Sequence, residues 1–185
     1  MSYILRDTRS TDVSSMATIY ADAVVTGTAS YELVPPTREE MASRFAEIIG
    51  RGYPHIAAVD EDGAFLGYAY ASAFRTRPAY RWLVEDSIYL AREAQGRGIG
   101  KALLQELARR CTALGFRQMV AVIGGASPAS VRLHSACGFQ LTGTLIGTGF
   151  KHGRWLDTVL MQLPLGDGNA TVPDEDSYPG CLFVG

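Results

Sequence analysis

Apolar residues in this chain recur at two spacings, and the changes from one to the other mark its elements. Trp82 to Leu90 is rich in β-branched and aromatic residues, as a buried strand should be. From Ile99 the period lengthens: Ile99, Leu103, Leu107 and Leu114 lie along one helical stripe, with Ala102 and Cys111 beside it. Upstream, Tyr3–Arg6 reads as a strand, and Thr11 or Asp12 caps a helix running through Met16, Ile19 and Tyr20 to about Val25. Gly27–Tyr31 is a loop. Thr37 and Glu40 then form a capping box for a second helix through Met41, Phe45 and Ile48. His55–Val59 and Ala64–Arg77 are hairpin partners across the Asp60–Gly63 turn, and Pro78 stops the second. Downstream come a strand over Phe116–Ile123 and a helix over Pro128–Cys137, with Ser127 as its cap and Gly138 as its stop. Phe139–Gly147 and Trp155–Leu163 are a last pair of strands, ended by Pro164.

The order β-α-α-β-β-β-α-β-α-β-β mixes hairpins with helix crossovers. It predicts an α/β chain of the α+β kind, a mixed sheet flanked by about four helices. The strands before and after the Ile99 helix should pair in parallel through a right-handed crossover. Residues 1–165 make the domain. Residues 166–185 turn acidic and rich in Gly, Asn, Pro and Ser, which predicts a mobile tail with an apolar tip at Cys181–Val184.

Composition narrows the classes. With 185 residues, 47% hydrophobic and 19% charged, one globular domain is expected. A net charge of -2 gives no electrostatic case for nucleic acid or anionic membranes. No apolar run is long enough to span a bilayer, and the N-terminal residues break into charge at once, so a cytoplasmic location is expected. Cys111, Cys137 and Cys181 lack metal-ligand spacing, so no metal is expected.

The chemistry starts at Gln95-Gly96-Arg97-Gly98-Ile99-Gly100-Lys101, between the Trp82–Leu90 strand and the Ile99 helix. Alternating glycines let the backbone turn its N–H groups outward, and with the helix N-terminus they form an anion site suited to a pyrophosphate. The spacing matches neither the P-loop nor the dinucleotide fingerprint. On its own the loop is equally compatible with a glycine-rich helix entry that binds nothing.

This loop resembles the acetyl-CoA loop of the GNAT superfamily of N-acetyltransferases, Gln/Arg-x-x-Gly-x-Gly/Ala. Ser130 to Phe139 resembles that superfamily's second signature, and the order of elements is similar to its fold. Longer blocks are similar to the phosphinothricin and methionine sulfone/sulfoximine acetyltransferases: Thr28–Tyr31, Arg75–Trp82, Val84–Tyr89, Gly115–Gly124 and Gly149–Gln162. The resemblance covers residues 1 to about 165 and implies a mostly antiparallel sheet with one parallel pair at the acetyl-CoA cleft.

It also implies roles. Glu85 is the expected base for the acceptor amine, directly or through water, and His134 the expected proton donor to the departing sulfur. Acetyl-CoA is expected on Ile88, Tyr89, Leu90, Gln95, Gly96, Arg97, Gly98, Ile99, Gly100, Lys101, Ser127 and Ser130. The backbone N–H groups near Ile88, Tyr89 and Leu90 would receive the oxyanion. Ser127 stands where the signature has asparagine; it still caps the helix, but a shorter side chain implies a weaker hold on the pantetheine arm. The acceptor, a small amino-acid analogue, is expected on Phe74, Arg75, Thr76, Arg77, Tyr80, Glu85, Asp86 and Ser87. Guanidinium forks grip carboxylate, phosphinate or sulfonyl oxygens, and Arg75 and Arg77 point the same way if their strand persists. Lys151, His152 and Trp155 complete the pocket in this reading, and a homodimer is implied. The competing readings are the same chemistry on a peptide N-terminus or polyamine, which an arginine-rich segment disfavours, and a non-catalytic acyl-CoA sensor, which Glu85 and His134 together disfavour.

Overall fold

The computed structural model describes residues 2–183, so Val184 of the predicted apolar tip lies outside the described residues. A seven-stranded sheet runs β1-β2-β3-β4-β5-β7-β6. Its strands are β1 (Tyr3–Asp7), β2 (His55–Asp60), β3 (Phe65–Ala73), β4 (Leu83–Leu90), β5 (Gln118–Gly124), β6 (Gln140–Lys151) and β7 (Arg154–Pro164). The helices are α1 (Val13–Thr26), α2 (Arg38–Gly50), α3 (Ile99–Ala113) and α4 (Pro128–Ala136). All neighbouring strands are antiparallel except β4 and β5, the predicted parallel pair.

Helices pack on both faces of the sheet's central strands, while β6 is exposed along most of its length. Ile99, Leu103, Leu104 and Leu107 of α3 pack with Ile56, Val84, Met119 and Met161 to make the larger core. On the opposite face Met16, Tyr20, Met41 and Phe45 of α1 and α2 close over Tyr68, Tyr70 and Tyr89. Alternation along β4 therefore sends Val84, Ile88 and Leu90 toward α3, and Tyr89 toward α1 and α2.

Local signals held where the partner is local. Thr37 Oγ1 accepts from the Glu40 N–H at 3.1 Å, and the Glu40 carboxylate accepts from the Thr37 N–H at 2.6 Å, the predicted capping box. Asp12 sits at the start of α1 but does not cap it. Its carboxylate accepts from the Arg6 guanidinium at 2.7 and 2.9 Å and from the Arg9 N–H at 2.7 Å, because a nearby cation competes better than helix N–H groups. The strand predicted to reach Arg77 ends at Ala73. Beyond it the chain bends into a short 3-10 turn at Pro78–Tyr80, so Arg75 and Arg77 do not share a strand face. The last two strands run longer than predicted, meeting at a turn where His152 and Gly153 have φ of 51 and 73°.

After Pro164 the chain crosses back over the end of the sheet. Arg117 donates to the Thr171 hydroxyl, Arg81 pairs with Glu175 at 3.3 Å, and the Tyr178 ring stands edge-on to Phe116 at 5.6 Å.

Candidate active site

The site begins where two strands part. β4 and β5 pair only from Leu83–Gln118 to Glu85–Val120, and beyond Glu85 the facing edge of β4 has no strand partner. The fork opens a cleft of about 130 Å³ lined by Ala29, Glu85, Asp86, Ser87, Ile88, Tyr89, Ala121, Val122, Ile123, Gly124, Ser127, Ser130 and His134. It runs through the sheet, so consecutive β4 residues serve its two mouths.

Glu85 points to the α1/α2 face. Burial, reinforced by the neighbouring Asp86 charge and only partly offset by Arg75, lifts its carboxyl from 4.5 to about 7. A carboxylate at that pKa is a base matched to neutral pH. Ser87 is on the same strand face by alternation, close to the Tyr70 hydroxyl.

Asp86 takes the other face. Its Oδ2 lies 3.0 Å from Nε2 of His134, with the two side chains 2% and 3% exposed. On the other side of the ring, Nδ1 donates to the Ser130 carbonyl at 2.8 Å. A carbonyl can only accept, so Nδ1 carries a proton, and the second shared proton lies between Nε2 and Asp86. Burial opposes the imidazolium, but the Asp86 hydrogen bond and charge, with the Ser130 carbonyl, outweigh it and raise the His134 pKa. Asp86, expected among the acceptor contacts, is thus turned toward α4 and away from the Glu85 face.

The glycine loop stands at the end of β4. Gly96 and Gly98 have φ of 72 and 79°, conformations that L side chains rarely adopt, with open space where a Cβ would project. Gly100 is closely packed: a Cβ there would meet the side-chain ends of Leu90 at 3.3 Å and Leu133 at 3.4 Å. No acidic residue lies in the first turn of α3, whose leading N–H groups lack intrahelical partners. Gln95, Arg97 and Lys101 are exposed beside them, while Ile99 is buried beneath. These residues suit a diphosphate, and Ser127 and Ser130 of the α4 start line the cleft between that loop and His134. Ser127 also caps α4, accepting from the Ser130 N–H at 3.5 Å.

Other predicted residues are spread more widely. Of the expected coenzyme contacts, Ile88 and Tyr89 line the cleft, whereas Leu90 packs against Gly100. Arg75 is near enough to act on Glu85 and lies over the Phe74 ring at 4.3 Å. Thr76, Arg77 and Tyr80 are exposed and outside the cleft lining, and Arg81 is engaged by Glu175. Lys151 donates to the Ser30 carbonyl at 2.7 Å, His152 lies 3.1 Å from the Gly27 carbonyl, and Trp155 is exposed. Sequence reasoning missed the Asp86–His134 pair and the cleft role of Ala29. Alternation along β4 was the available signal for the first. Among the described residues no group of three or more His, Cys, Asp or Glu is placed to hold a metal ion, and no helix is long and apolar enough to cross a membrane.

Comparison with known proteins agrees with this geometry. The acetyltransferase (GNAT) family model matches residues 14–139. The phosphinothricin N-acetyltransferase of Alcaligenes faecalis is 47% identical over 171 residues, covering 92% of this chain and 86% of that protein. An L-methionine sulfoximine/L-methionine sulfone acetyltransferase of Pseudomonas paraeruginosa is 38% identical over 165 residues, covering 89% and 96%. The crystal structure of a GNAT superfamily phosphinothricin acetyltransferase from Sinorhizobium meliloti, in complex with AcCoA, superposes with a TM-score of 0.98 at 60% identity and covers 100% of both chains. The forked strands, the glycine loop and these relationships place the chain in one family: it belongs to the GNAT acetyltransferases.

Proposed function

We propose that this enzyme moves the acetyl group of acetyl-CoA to the α-amine of a small amino-acid analogue of the phosphinothricin, methionine sulfone or methionine sulfoximine type. The observation that carries this reading is Glu85, a carboxyl lifted to about 7 at the mouth of the forked strands. The names of the relatives support the acceptor class.

Acetyl-CoA supplies a thioester carbonyl at the fork. The N–H groups of the Gly96–Gly100 loop and the start of α3 receive its diphosphate, with Arg97 and Lys101 adding positive charge. The β4 edge turned away from β3 offers the N–H of Ile88 or of Tyr89, which point to opposite edges, to the carbonyl oxygen as it gains charge. On the α1/α2 side, Glu85 takes the proton of the acceptor amine, directly or through water. An α-amine of pKa about 8 costs only about 1.4 kcal/mol to present neutral at pH 7. On the α4 side, His134 is held by Asp86 at Nε2 and by the Ser130 carbonyl at Nδ1, so its proton reaches the thiolate, whose pKa of about 8.5 asks little help, when the Asp86 contact opens. Base and acid thus serve opposite mouths of one cleft. Arg75, with Phe74, Ser87 and the more distant Thr76, Arg77 and Tyr80, offers the acceptor's acidic group a cation and polar partners.

The setting proposed is the cytoplasm, with resistance to the acceptor compound as a consequence of its acetylation. A homodimer is proposed on the exposed Leu141, Leu145, Ile146, Phe150 and Trp155 of the β6–β7 hairpin, a large apolar surface on an edge strand.

The test is free-thiol release from acetyl-CoA with phosphinothricin, methionine sulfone, methionine sulfoximine, ordinary amino acids, a polyamine and a peptide. Turnover confined to the first three supports the assignment. Preference for polyamine or peptide discards the acceptor class, and binding of acetyl-CoA without any turnover favours a sensor.

A further inference from the structure

Residues 166–183 have no part in the chemistry described so far, and they lie beyond the family match at 14–139. They are nevertheless fastened to the body along their length. Near Pro164, Arg117 donates to the Gly168 carbonyl at 3.4 Å, the Thr171 hydroxyl at 2.9 Å and the Val172 carbonyl at 3.4 Å. Farther on, Tyr178 and Leu182 pack against the larger core. A Cβ on Gly52 would meet the Tyr178 ring at 3.2 Å, and one on Gly115 would meet Pro179 at 3.3 Å. Between these anchors the segment coils tightly: a Cβ on Gly180 would overlap the Asp174 carbonyl oxygen and stand 2.6 Å from that of Glu175. The coil presents the Glu175 side chain to the body from a fixed backbone.

What Glu175 meets is the foot of the loop between β3 and β4. After β3 ends at Ala73, residues 75–80 are exposed and belong to no strand. The loop closes on itself. Phe74 stands edge-on to Tyr80 at 6.1 Å, and the Tyr80 and Arg81 N–H groups donate to the Arg77 and Pro78 carbonyls. It returns to the body at Arg81, whose side chain is 13% exposed and lies over the Trp82 ring at 5.3 Å. From Trp82 onward the chain is fixed, because the Trp82 carbonyl accepts from the Arg117 and Gln118 N–H groups at 2.9 and 3.2 Å. The Arg81 guanidinium spans the gap. Its Nη1 donates back to the Pro78 carbonyl at 3.1 Å, and its Nη2 faces Glu175 at 3.3 Å. Its Nε is buried without a hydrogen-bond partner among the described residues. Among those residues Glu175 is the one carboxylate paired with this charge. A guanidinium drawn this far out of water needs such a partner. Arg75, whose charge reaches Glu85, rides on the same loop.

We propose that Glu175 is a positioning residue for the transfer reaction: by pinning Arg81, the C-terminal segment holds the Arg75–Trp82 loop where Arg75 can serve the acceptor. Glu175 is not among the residues that line the cleft, so its action runs through Arg81 and the loop. Order supplied in advance by the segment is order that acceptor binding does not have to create. The pair is partly solvated, with Glu175 70% exposed, so its hold is modest. Acetyl-CoA, carried by the glycine loop and α3, lies outside its reach. The inference deepens the proposed function and rests on it.

The experiment measures KM and kcat for methionine sulfone and for acetyl-CoA in the wild type, Glu175→Gln, Arg81→Met and the double variant. Trypsin cleavage after Arg75 is followed on the same proteins as a readout of loop order. Glu175→Gln should raise the methionine sulfone KM about threefold, the effect of a partly solvated ion pair, and leave the acetyl-CoA KM unchanged. Trypsin should cut after Arg75 about threefold faster. Arg81→Met keeps an unbranched stem on Trp82 but loses the charge, so adding Glu175→Gln to it should change nothing further. An unchanged methionine sulfone KM and an unchanged trypsin rate in Glu175→Gln would overturn the proposal. An equal rise in both KM values, or additive losses in the double variant, would also overturn it, because the effect would then not pass through Arg81 to the acceptor side. Glu175→Gln, an exposed substitution, decides the question alone if Arg81→Met does not fold. If the wild type turns over no acceptor, the proposed function fails and this inference falls with it; an active wild type indifferent to Glu175→Gln fails the inference alone.

Discussion

Replacing Glu85 by glutamine should slow the enzyme and stabilise the protein at the same time. A carboxyl whose pKa rises from 4.5 to about 7 on folding is held in surroundings that disfavour its charge. The folded chain therefore binds this proton more tightly than the unfolded chain. Stability from the group is fully present below the unfolded value, near 4.5, and is lost as pH rises through about 7. At 1.36 kcal/mol per unit the loss comes to a little over 3 kcal/mol above pH 7, and residual solvation of a half-buried group brings the expected figure to about 1–3 kcal/mol. Glu85→Gln removes the penalty, and at about 2–4 °C per kcal/mol the melting temperature at pH 8 should rise by roughly 2–12 °C, with no gain at pH 4.5. Catalysis should move the other way. A missing general base costs about 10²–10⁴, and an amine already one-tenth neutral at pH 7 puts this case near the lower figure. The assays are thiol release and scanning calorimetry from pH 4.5 to 9. In the wild type kcat/KM should climb through pH 7 and level off, and the variant should lose that limb. A variant with wild-type kcat/KM and an intact limb near pH 7 would refute the base assignment. Slower turnover with no stability gain at pH 8 would refute the desolvation argument.

Further consequences are open to measurement. Asp86→Asn removes the partner that raises the His134 pKa, and breaking so buried a pair should cost about 3 kcal/mol. A group with a raised histidine pKa lends its stability below about 6.5 and loses it as pH rises past the folded value, so denaturant midpoints of wild type and variant should diverge further at pH 6 than at pH 8.5. His134→Ala should slow thiol release substantially without abolishing it, since the leaving thiol has a pKa of only about 8.5; total loss with acetyl-CoA binding intact would contradict this. Gly98→Ala forces a side chain into φ of 79° at the start of α3 and should weaken acetyl-CoA binding, read by calorimetry, by roughly fivefold, about 1 kcal/mol of backbone strain. Truncation after residue 176 removes Tyr178 from Phe116 and should lower the melting temperature by several degrees, about 1–3 kcal/mol of apolar burial, while acetyl-CoA KM is unchanged.

What the sequence discloses is what neighbours along the chain determine. The glycine loop, the stripe of α3 and the Thr37–Glu40 box each depend on residues within a few positions of one another, and each was readable. The parallel pair followed from a chirality rule that needs only the order of elements. Arg75 and Arg77 were read onto one strand face because nothing local marks where pairing with β4 stops short of Pro78. His134 was singled out by resemblance alone, because its partner is Asp86, a separation of 48 residues that no spacing reveals. Tyr31 was visible as part of a motif, but its hydroxyl is spent on Asp157 and Thr158, brought close only when β7 inserts between β5 and β6. The same insertion explains the glycines at 124, 125 and 149, which read as ordinary loop and strand residues until the loop is laid against them.

The central claim is that Glu85 receives the proton of the acceptor amine at the fork of β4 and β5. The most direct measurement is a crystal structure of the protein with coenzyme A and methionine sulfone bound. The account predicts the α-amine nitrogen about 3 Å from a Glu85 carboxylate oxygen, or joined to it through one water, with the coenzyme sulfur on the His134 side of the cleft. An amine bound beyond the reach of Glu85, with another base beside it, would contradict it.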